Sequence, residues 1–338
     1  MSRLFTFAGL IAVLYGVIFL VKRDYQEILR EPLALTDSAV IEVPKGSNLD
    51  TVVADFDQRH WLRTPRARLY LRLYGRLNPR MAALKAGEYQ VMPGQNGLDA
   101  LSMIAAGRML LHELRIIEGW RFSQALDAVK QSTDLEHELP PTASAEDSMQ
   151  AIGHGDEHPE GRFFPDTYRF TRGTTDVAIL QQAYAAAEKL MKDEWARRDA
   201  NLPYKSPYEA VIMASIVEKE TAKPDERAQV AGVFVRRLQK GMRLQTDPTV
   251  IYGLGAAFDG NLRKRDLLTD APYNTYSREG LPPTPICLPG RASLLAALHP
   301  AQGDALYFVS RGDGTHQFSS NLKDQEAAVR RYQLGREP

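Results

Sequence analysis

Residues 212–224 read IMASIVEKETAKP. From Val211 to Val217 every position except Ser215 is apolar. A segment that is apolar on all sides has no face for water, so it reads as a helix threaded into a core. Pro203 and Pro207 break the chain ahead of it and Pro224 ends it, which makes its last turn the place where the helix leaves the core. Glu218 and Glu220 occupy that turn. Two residues apart on a helix means about 200° apart around its axis. Glu218 therefore shares a side with Val211, Ala214 and Thr221, and Glu220 with Met213, Ile216 and Val217. A carboxyl at the border of a core is partly desolvated, which raises its pKa and keeps an acid available at neutral pH. The same residues also fit a charged helix end whose glutamates pair with Lys219 and Arg227.

The composition around this helix is that of a globular protein: 44% hydrophobic, 25% charged, and a formal net charge of zero over 338 residues. That length suggests about two folded units. A neutral chain has no global field for nucleic acid, so none is expected as a partner. The single cysteine, Cys287, excludes an intrachain disulfide and a Cys-rich zinc site. His154 and His158 in HGDEH flank Gly and Pro and lack helical metal-ligand spacing, so no metal and no cofactor are expected. No Gly-rich phosphate loop, G-x-S-x-G elbow or internal repeat is present.

Leu4 to Val21 reads LFTFAGLIAVLYGVIFLV, eighteen residues without a charge, bounded by Arg3 and by Lys22-Arg23. That is just long enough to span a bilayer, and the following FLVKRDY offers no small residues for signal cleavage. Residues 1–23 are read as a cytoplasmic N-terminus with an uncleaved transmembrane anchor. Basic residues on both flanks leave the orientation undecided.

Residues 36–110 read as a small α+β unit. VIEV forms a strand, Ser47 caps a helix with Asp50 in its first turn, and Thr64-Pro65 opens RARLYLRLYGRL with Leu69, Leu73 and Leu77 on its buried side. GEYQV gives a second strand, and LDALSMIAAG a helix stopped by Gly107. Seven arginines and no acid lie between Arg59 and Arg80; they read either as a solvated helix face or as a site for anionic lipid or wall polymer. Residues 111–338 form the larger unit, with a strand at LRIIEGW, a helix after Ser123, loop over 134–175, and a helix over 176–199. The fold class is α+β.

Downstream of EKET come GMRLQTDPTVIYGLG, APYNTYSREGLPPTPICLPG, LHPA and ALYFVSRGDGTHQFSSNLKDQ; upstream lies EGRFFPDTYRF. In this order they resemble the YceG-like family of endolytic murein transglycosylases, membrane-anchored enzymes that cut peptidoglycan glycan strands. The resemblance spans nearly the whole chain and implies an N-terminal single transmembrane helix, a LysM-like unit at 36–110 and a catalytic domain at 111–338. It assigns the catalytic glutamate to the first acid of E-K-E-T, Glu218, and the lining of the cleft to Gln245, Thr246, Asp247, Tyr273, Asn274, Thr275 and Tyr276. Thr284 of LPPTPI stands where many relatives carry glycine.

The expected mechanism is that Glu218, protonated, donates to the oxygen joining N-acetylmuramic acid to N-acetylglucosamine. The sugar's own C6 hydroxyl then closes a 1,6-anhydro ring, so no second carboxylate is demanded. Rings with amides and hydroxyls suit a neutral N-acetylated sugar chain. Two alternatives stay open on these residues: a hydrolase with Asp247 as partner, or a non-catalytic wall-binding anchor. Ser215 and Lys219, four apart on one helix, raise a third, an acyl-transfer dyad. The resemblance also implies residues 24–338 on the outer side of the cytoplasmic membrane and peptidoglycan synthases as partners.

Overall fold

A computed structural model describes residues 2–81 and 83–335, apart from the side chains of residues 2–6 and 8. Met1 of the expected anchor segment, the side chains of Leu4, Phe5, Thr6 and Ala8 within it, and residues 336–338 of the larger unit lie outside that description. The chain is mixed α+β and mostly helical, and divides into two compact units, residues 1–112 with 170–172, and residues 113–169 with 173–338.

The first unit begins with α1 (Ser2–Arg30), followed by β1 (Ala39–Val43), α2 (Leu49–Gln58), α3 (Pro65–Leu77), β2 (Gly87–Val91) and α4 (Gly97–Ala106). β1 and β2 pair antiparallel with Ile41 opposite Tyr89, and alternation sends Ile41, Val43, Tyr89 and Val91 into a core with Val53, Phe56 and Ile104. Among the described residues no helix is long and apolar enough to cross a membrane. In α1 the side chains of Leu10, Leu14, Ile18 and Val21 are exposed, as are those between them that point to other sides, whereas Leu29 is buried in the core.

Two local expectations are corrected here. Asn48, not Ser47, caps α2, because its carboxamide accepts from Thr51 N and the Thr51 hydroxyl accepts from Asn48 N. The buried side of α3 carries Ala67, Leu71 and Gly75, and Leu69, Leu73 and Leu77 are exposed. Packing decides this: a Cβ on Gly75 would sit 2.2 Å from Leu49 Cδ2, so the smallest residues of α3 define its contact side. The arginine run is largely neutralised by acids from outside it: Arg59 meets Asp55, Arg66 meets Asp24, Arg68 meets Asp57, and Arg72 and Arg76 meet Asp50.

In the second unit β3 (His112–Arg115) pairs with β4 (Thr167–Phe170). Between them lie α5 (Phe122–Gln131), which begins after Arg121 and not after Ser123, and α6 (Ala145–Ala151). The stretch read as loop, 134–175, thus holds a short helix and a strand; Ser144 makes a capping box with Asp147 that starts the former. Then come α7 (Asp176–Trp195), α8 (Pro207–Glu220), α9 (Pro224–Gln239), α10 (Asp247–Leu254), α11 (Lys264–Leu268), α12 (Arg291–Leu298), the antiparallel hairpin of β5 (Tyr307–Ser310) and β6 (His316–Ser319), and α13 (Leu322–Tyr332). α8 is the axis of this unit. Ile212 to Val217 are all buried, packed against Val230, Ala231 and Phe234 of α9 and Leu294, Ala297 and Leu298 of α12.

Candidate active site

The Ser206 hydroxyl caps the start of α8, Pro207 takes its first position, and Pro224 forces the chain out of it by Thr221. The helix thus delivers its two glutamates to two different environments.

Glu220 looks into a cavity of about 340 Å³. The cavity is walled by Arg237 of α9, Gln245 and Asp247 at the start of α10, Tyr276, and Phe308 and His316 of the hairpin. The Thr246 hydroxyl donates a short hydrogen bond to Glu220 Oε1. Burial pushes the Glu220 carboxyl up to about 7 and the neighbouring Asp247 adds to this, while the Thr246 hydrogen bond and His316 act the other way. Near pH 7 such a carboxyl exists in both forms, which is what a group that gives and retakes a proton requires.

The cavity's rim is held in shape. Gln245 has φ 51°, a left-handed conformation that a non-glycine residue adopts only where its surroundings impose it. Its N–H donates to Thr275 O at 3.1 Å, and Arg237 Nη1 donates to its side-chain oxygen at 3.4 Å and to Leu244 O at 2.8 Å. Tyr276 donates its hydroxyl to Asp247 Oδ1 at 2.5 Å. On the far side His316 Nδ1 and Glu226 Oε2 are 2.7 Å apart, and His316 N donates to Glu226 Oε1 at 3.0 Å.

Glu218 faces elsewhere and is not among the residues lining this cavity. Its side chain is 8% exposed; Oε2 accepts from Gly290 N at 3.1 Å, at the start of α12, and Oε1 lies 3.7 Å from Arg227 Nη2 of α9. Glu118 is close by, and a Cβ on Gly290 would meet its carboxylate at 2.0 Å. Burial raises the Glu118 carboxyl, Glu218 raises it further, and Arg227 opposes both. Glu218 thus sits where α8 and α9 meet the start of α12, with Glu118 as a second carboxyl beside it.

The seven cleft residues separate by role. Gln245, Asp247 and Tyr276 line the cavity, and Thr246 bonds to Glu220. Asn274 and Thr275 are buried and act one layer back. The Asn274 carboxamide donates to Asp266 O, Leu267 O and Thr269 O and accepts from Tyr276 N, while the Thr275 hydroxyl joins Thr246 and Thr249. Tyr273 is not on this cavity: its ring lies 4.9 Å from that of Tyr252 and its hydroxyl meets Thr284 Oγ1 at 2.7 Å.

The Ser215–Lys219 dyad is not formed. Ser215 is fully buried, donates to Ile212 O and accepts from Ile286 N, and Lys219 Nζ reaches Gly119 O. His154 stacks on Tyr184 at 4.0 Å, and His158 Nδ1 accepts from Glu160 N, so each histidine of HGDEH has a local packing task. Glu160, in EGRFF, was not singled out by the sequence reading. It is a buried carboxyl that accepts from Phe122 N and Tyr252, and burial pushes it up to about 7. Arg237, Glu226 and His316 were missed as well. His316 lies inside the GDGTHQF motif, but its partner is ninety residues away in sequence.

The model of the YceG-like family matches residues 41–331. Among similar proteins, an "Endolytic murein transglycosylase" of Bacillus subtilis (strain 168) is 29% identical over 91% of this chain and 89% of its own length. One of Streptococcus pneumoniae serotype 2 (strain D39) is 25% identical over 90% of this chain, which spans 61% of that longer protein. The crystal structure of a yceG-like protein from Listeria monocytogenes superposes with a TM-score of 0.53 at 28% identity, over 86% of this chain and 98% of the other. With the match running through both folded units and from α8 to the β5–β6 hairpin, the chain belongs to the YceG-like family.

Proposed function

We propose that this chain is an endolytic lytic transglycosylase, cutting the N-acetylmuramic acid–β-1,4–N-acetylglucosamine bond within peptidoglycan strands, with Glu220 as the proton donor. The observation that carries this reading is a carboxyl held near 7 at the wall of an open cavity whose other residues are Gln245, Asp247, Tyr276 and Arg237. The protonated Glu220 gives its proton to the bridging oxygen as the C1–O bond breaks and positive charge grows at C1. The C6 hydroxyl of the same muramic acid residue attacks C1, the C1–O6 bond forms, and the hydroxyl proton goes to the Glu220 carboxylate. Nothing is consumed besides the glycan, and the acid is restored. Asp247, fixed by Tyr276, contributes negative charge near the developing cation.

The family resemblance pointed to Glu218 for this role. Glu218, held by Gly290 N and Arg227 with the Glu118 carboxyl beside it, is the second candidate for the same role, and matched glutamine variants of the two separate them. Mass spectrometry of digested glycan strands tests the reading: the wild-type chain yields 1,6-anhydro ends, and Glu220→Gln yields none. Hydrated reducing ends, or full activity in Glu220→Gln, would overturn it.

The anchor, the LysM-like character of residues 36–110 and synthase partners belong to the same proposal. Residues 4–21 would hold the chain in the cytoplasmic membrane with residues 24–338 outside. The support is the exposed apolar surface from Leu10 to Val21 ahead of Lys22 and Arg23. The chain is then expected in the membrane pellet after carbonate extraction, and a variant lacking residues 1–23 in the supernatant; full extraction of the intact chain would reject the anchor.

A further inference from the structure

We infer that the exposed leucine stripe of α3, Leu69, Leu73 and Leu77, is a second membrane contact, resting in the headgroup region of the bilayer that holds the anchor, with Arg66 and Arg76 on anionic phospholipid. The inference rests on the membrane attachment proposed above and is independent of which glutamate gives the proton. Leucines at four-residue steps share one side of a helix. In α3 all three are on the outside, 61%, 45% and 69% exposed, while Ala67, Leu71 and Gly75 take the core side. A single exposed leucine needs no explanation. Three in line are different on a helix whose only charged residues are Arg66, Arg68, Arg72 and Arg76: they are the apolar and basic sides of an interfacial helix.

The crossing of α1 and α3 sets the direction of the stripe. Arg66 Nη1 and the Tyr70 hydroxyl both donate to Asp24 Oδ2 at 2.8 Å, and the Tyr25 and Tyr70 rings meet at 5.1 Å. One turn further along α1, about 6 Å on, Ile28 and Leu29 line a crevice with Ala67 and Leu71. Ala67 and Leu71 lie about 100° around α3 from Arg66 and Tyr70, and hardly further along its axis. A step along α1 is thus a step around α3, so the two helices cross. Followed the other way, from Asp24 back towards Val21, the same rotation passes Arg66 and reaches the side of Leu69 and Leu73, with Leu77 in line with them further along. Val21 ends the exposed apolar surface of α1, about 4.5 Å before Asp24. The leucine side of α3 therefore faces the level at which the anchor enters lipid. Arg66 and Arg76 flank the stripe and stay 62% and 71% exposed beside Asp24 and Asp50. Ion pairs this open are weak and leave the guanidinium heads free to meet phosphates while their stems cover apolar surface. With α1 in the bilayer the stripe is held next to it, so a contact too weak to bind alone still forms.

The test places a reporter on the stripe. The full-length chain is reconstituted into vesicles of phosphatidylcholine with phosphatidylglycerol, carrying one environment-sensitive fluorophore on Leu73→Cys, Leu77→Cys or, as reference, Met92→Cys. Cys287 is buried, which leaves the introduced thiol as the reactive one. Met92 is exposed near the turn where Gln95 O accepts from Leu33 N, beyond the end of α1 that is away from Val21. A nitroxide-bearing phospholipid is expected to quench the labels at positions 73 and 77 on the order of threefold more than at 92, and the excess should shrink in pure phosphatidylcholine or in about 0.5 M salt. Equal quenching at the three positions overturns the inference. So do labels at 73 and 77 that are shielded from aqueous iodide yet out of reach of the lipid quencher, which would mark a protein or glycan as the occupant. Carbonate washing reads the anchor separately. A chain that washes off but shows the excess at 73 and 77 on added vesicles loses the anchor and keeps the stripe; one that resists washing and shows no excess keeps the anchor and loses the stripe.

Discussion

Glu218 and Glu220 sit two residues apart on one helix turn and have opposite surroundings. Glu218 is met by an arginine, a backbone N–H and the Glu118 carboxyl where three helices meet. Glu220 is met by one hydroxyl, a second carboxylate and open space. A charge buried with its partners is a structural joint; a carboxyl that is desolvated but underpaired is a reagent. The contrast arises from what α8 packs against. α9 and α12 close over one side, and the α10 start, the Tyr276 loop and the hairpin stand back from the other.

The largest separation of the two faces is expected in matched glutamine variants. Glu220→Gln removes the acid and should lower turnover on glycan strands by about a thousandfold, within the usual range for loss of a general acid. Glu218→Gln retains an oxygen for Gly290 N but strips the charge facing Arg227, whose Nε is already buried without a partner. It should cost roughly 2–4 kcal/mol of stability, measured by denaturant unfolding, and leave turnover of the folded fraction within several-fold of wild type. The reverse pattern, with Glu218→Gln inactive at full stability, would return the acid to Glu218.

The sequence carried both carboxyls on one helix end, and only the family resemblance chose between them, naming Glu218. The apolar run before EKET announced a buried helix ending in acids, because hydrophobic periodicity is local information. Which acid meets a cavity depends on Gly290, Arg227, Thr246 and His316, all distant along the chain, and helix periodicity gives only the angle between the two. Gln245, Thr246, Asp247 and Tyr276 were legible through family motifs. Asn274 and Thr275 belong to the same motifs as braces, since a buried loop must satisfy its own carbonyls and hydroxyls. The misread face of α3 has the same origin: Leu69, Leu73 and Leu77 keep a helical period, yet the close approach permitted by Gly75 selects the other side. The two strands and three helices of the small unit were visible; β4, the β5–β6 hairpin and the helices after α8 were not read, and the capping box at Ser144 inside a polar stretch was present in the sequence and passed over.

A second way to sharpen the contrast is stability against pH. Below an ordinary 4.5 the Glu220 carboxyl is protonated in both the folded and the unfolded chain. Between 4.5 and about 7 the unfolded chain releases this proton and the folded chain keeps it, so this group's contribution to stability falls as pH rises through that window and levels off above it. Glu220→Gln has nothing to release. It should match the wild type near pH 4 and exceed it by about 1–3 kcal/mol at pH 8. Glu160, pushed up in the same direction, is common to both chains and cancels in the difference. A difference that does not change between pH 4 and 8 would mean that Glu220 folds as an ordinary solvated carboxyl, and the reagent half of the comparison would fail.

The smallest effect is expected one contact further out. Tyr276 touches Glu220's neighbour, not Glu220, through its hydroxyl on Asp247, and burial with this hydrogen bond raises the phenol well above its ordinary range, so it stays a donor at any working pH. Tyr276→Phe keeps the ring on the cavity wall and deletes that donor. Water takes the place of the phenol on Asp247, so the loss is one oriented hydrogen bond to a carboxylate, about 1.5 kcal/mol or roughly tenfold in kcat/KM, with little change in melting temperature. The sign of the kcat and KM changes distinguishes two uses of Asp247. If its charge supports the developing cation, kcat falls and KM holds; if it only contacts the resting sugar, KM rises and kcat holds. The Glu220 reading demands the first, because a carboxylate that lies beside an acid of pKa near 7 and does nothing for the transition state would only hinder the release of the proton.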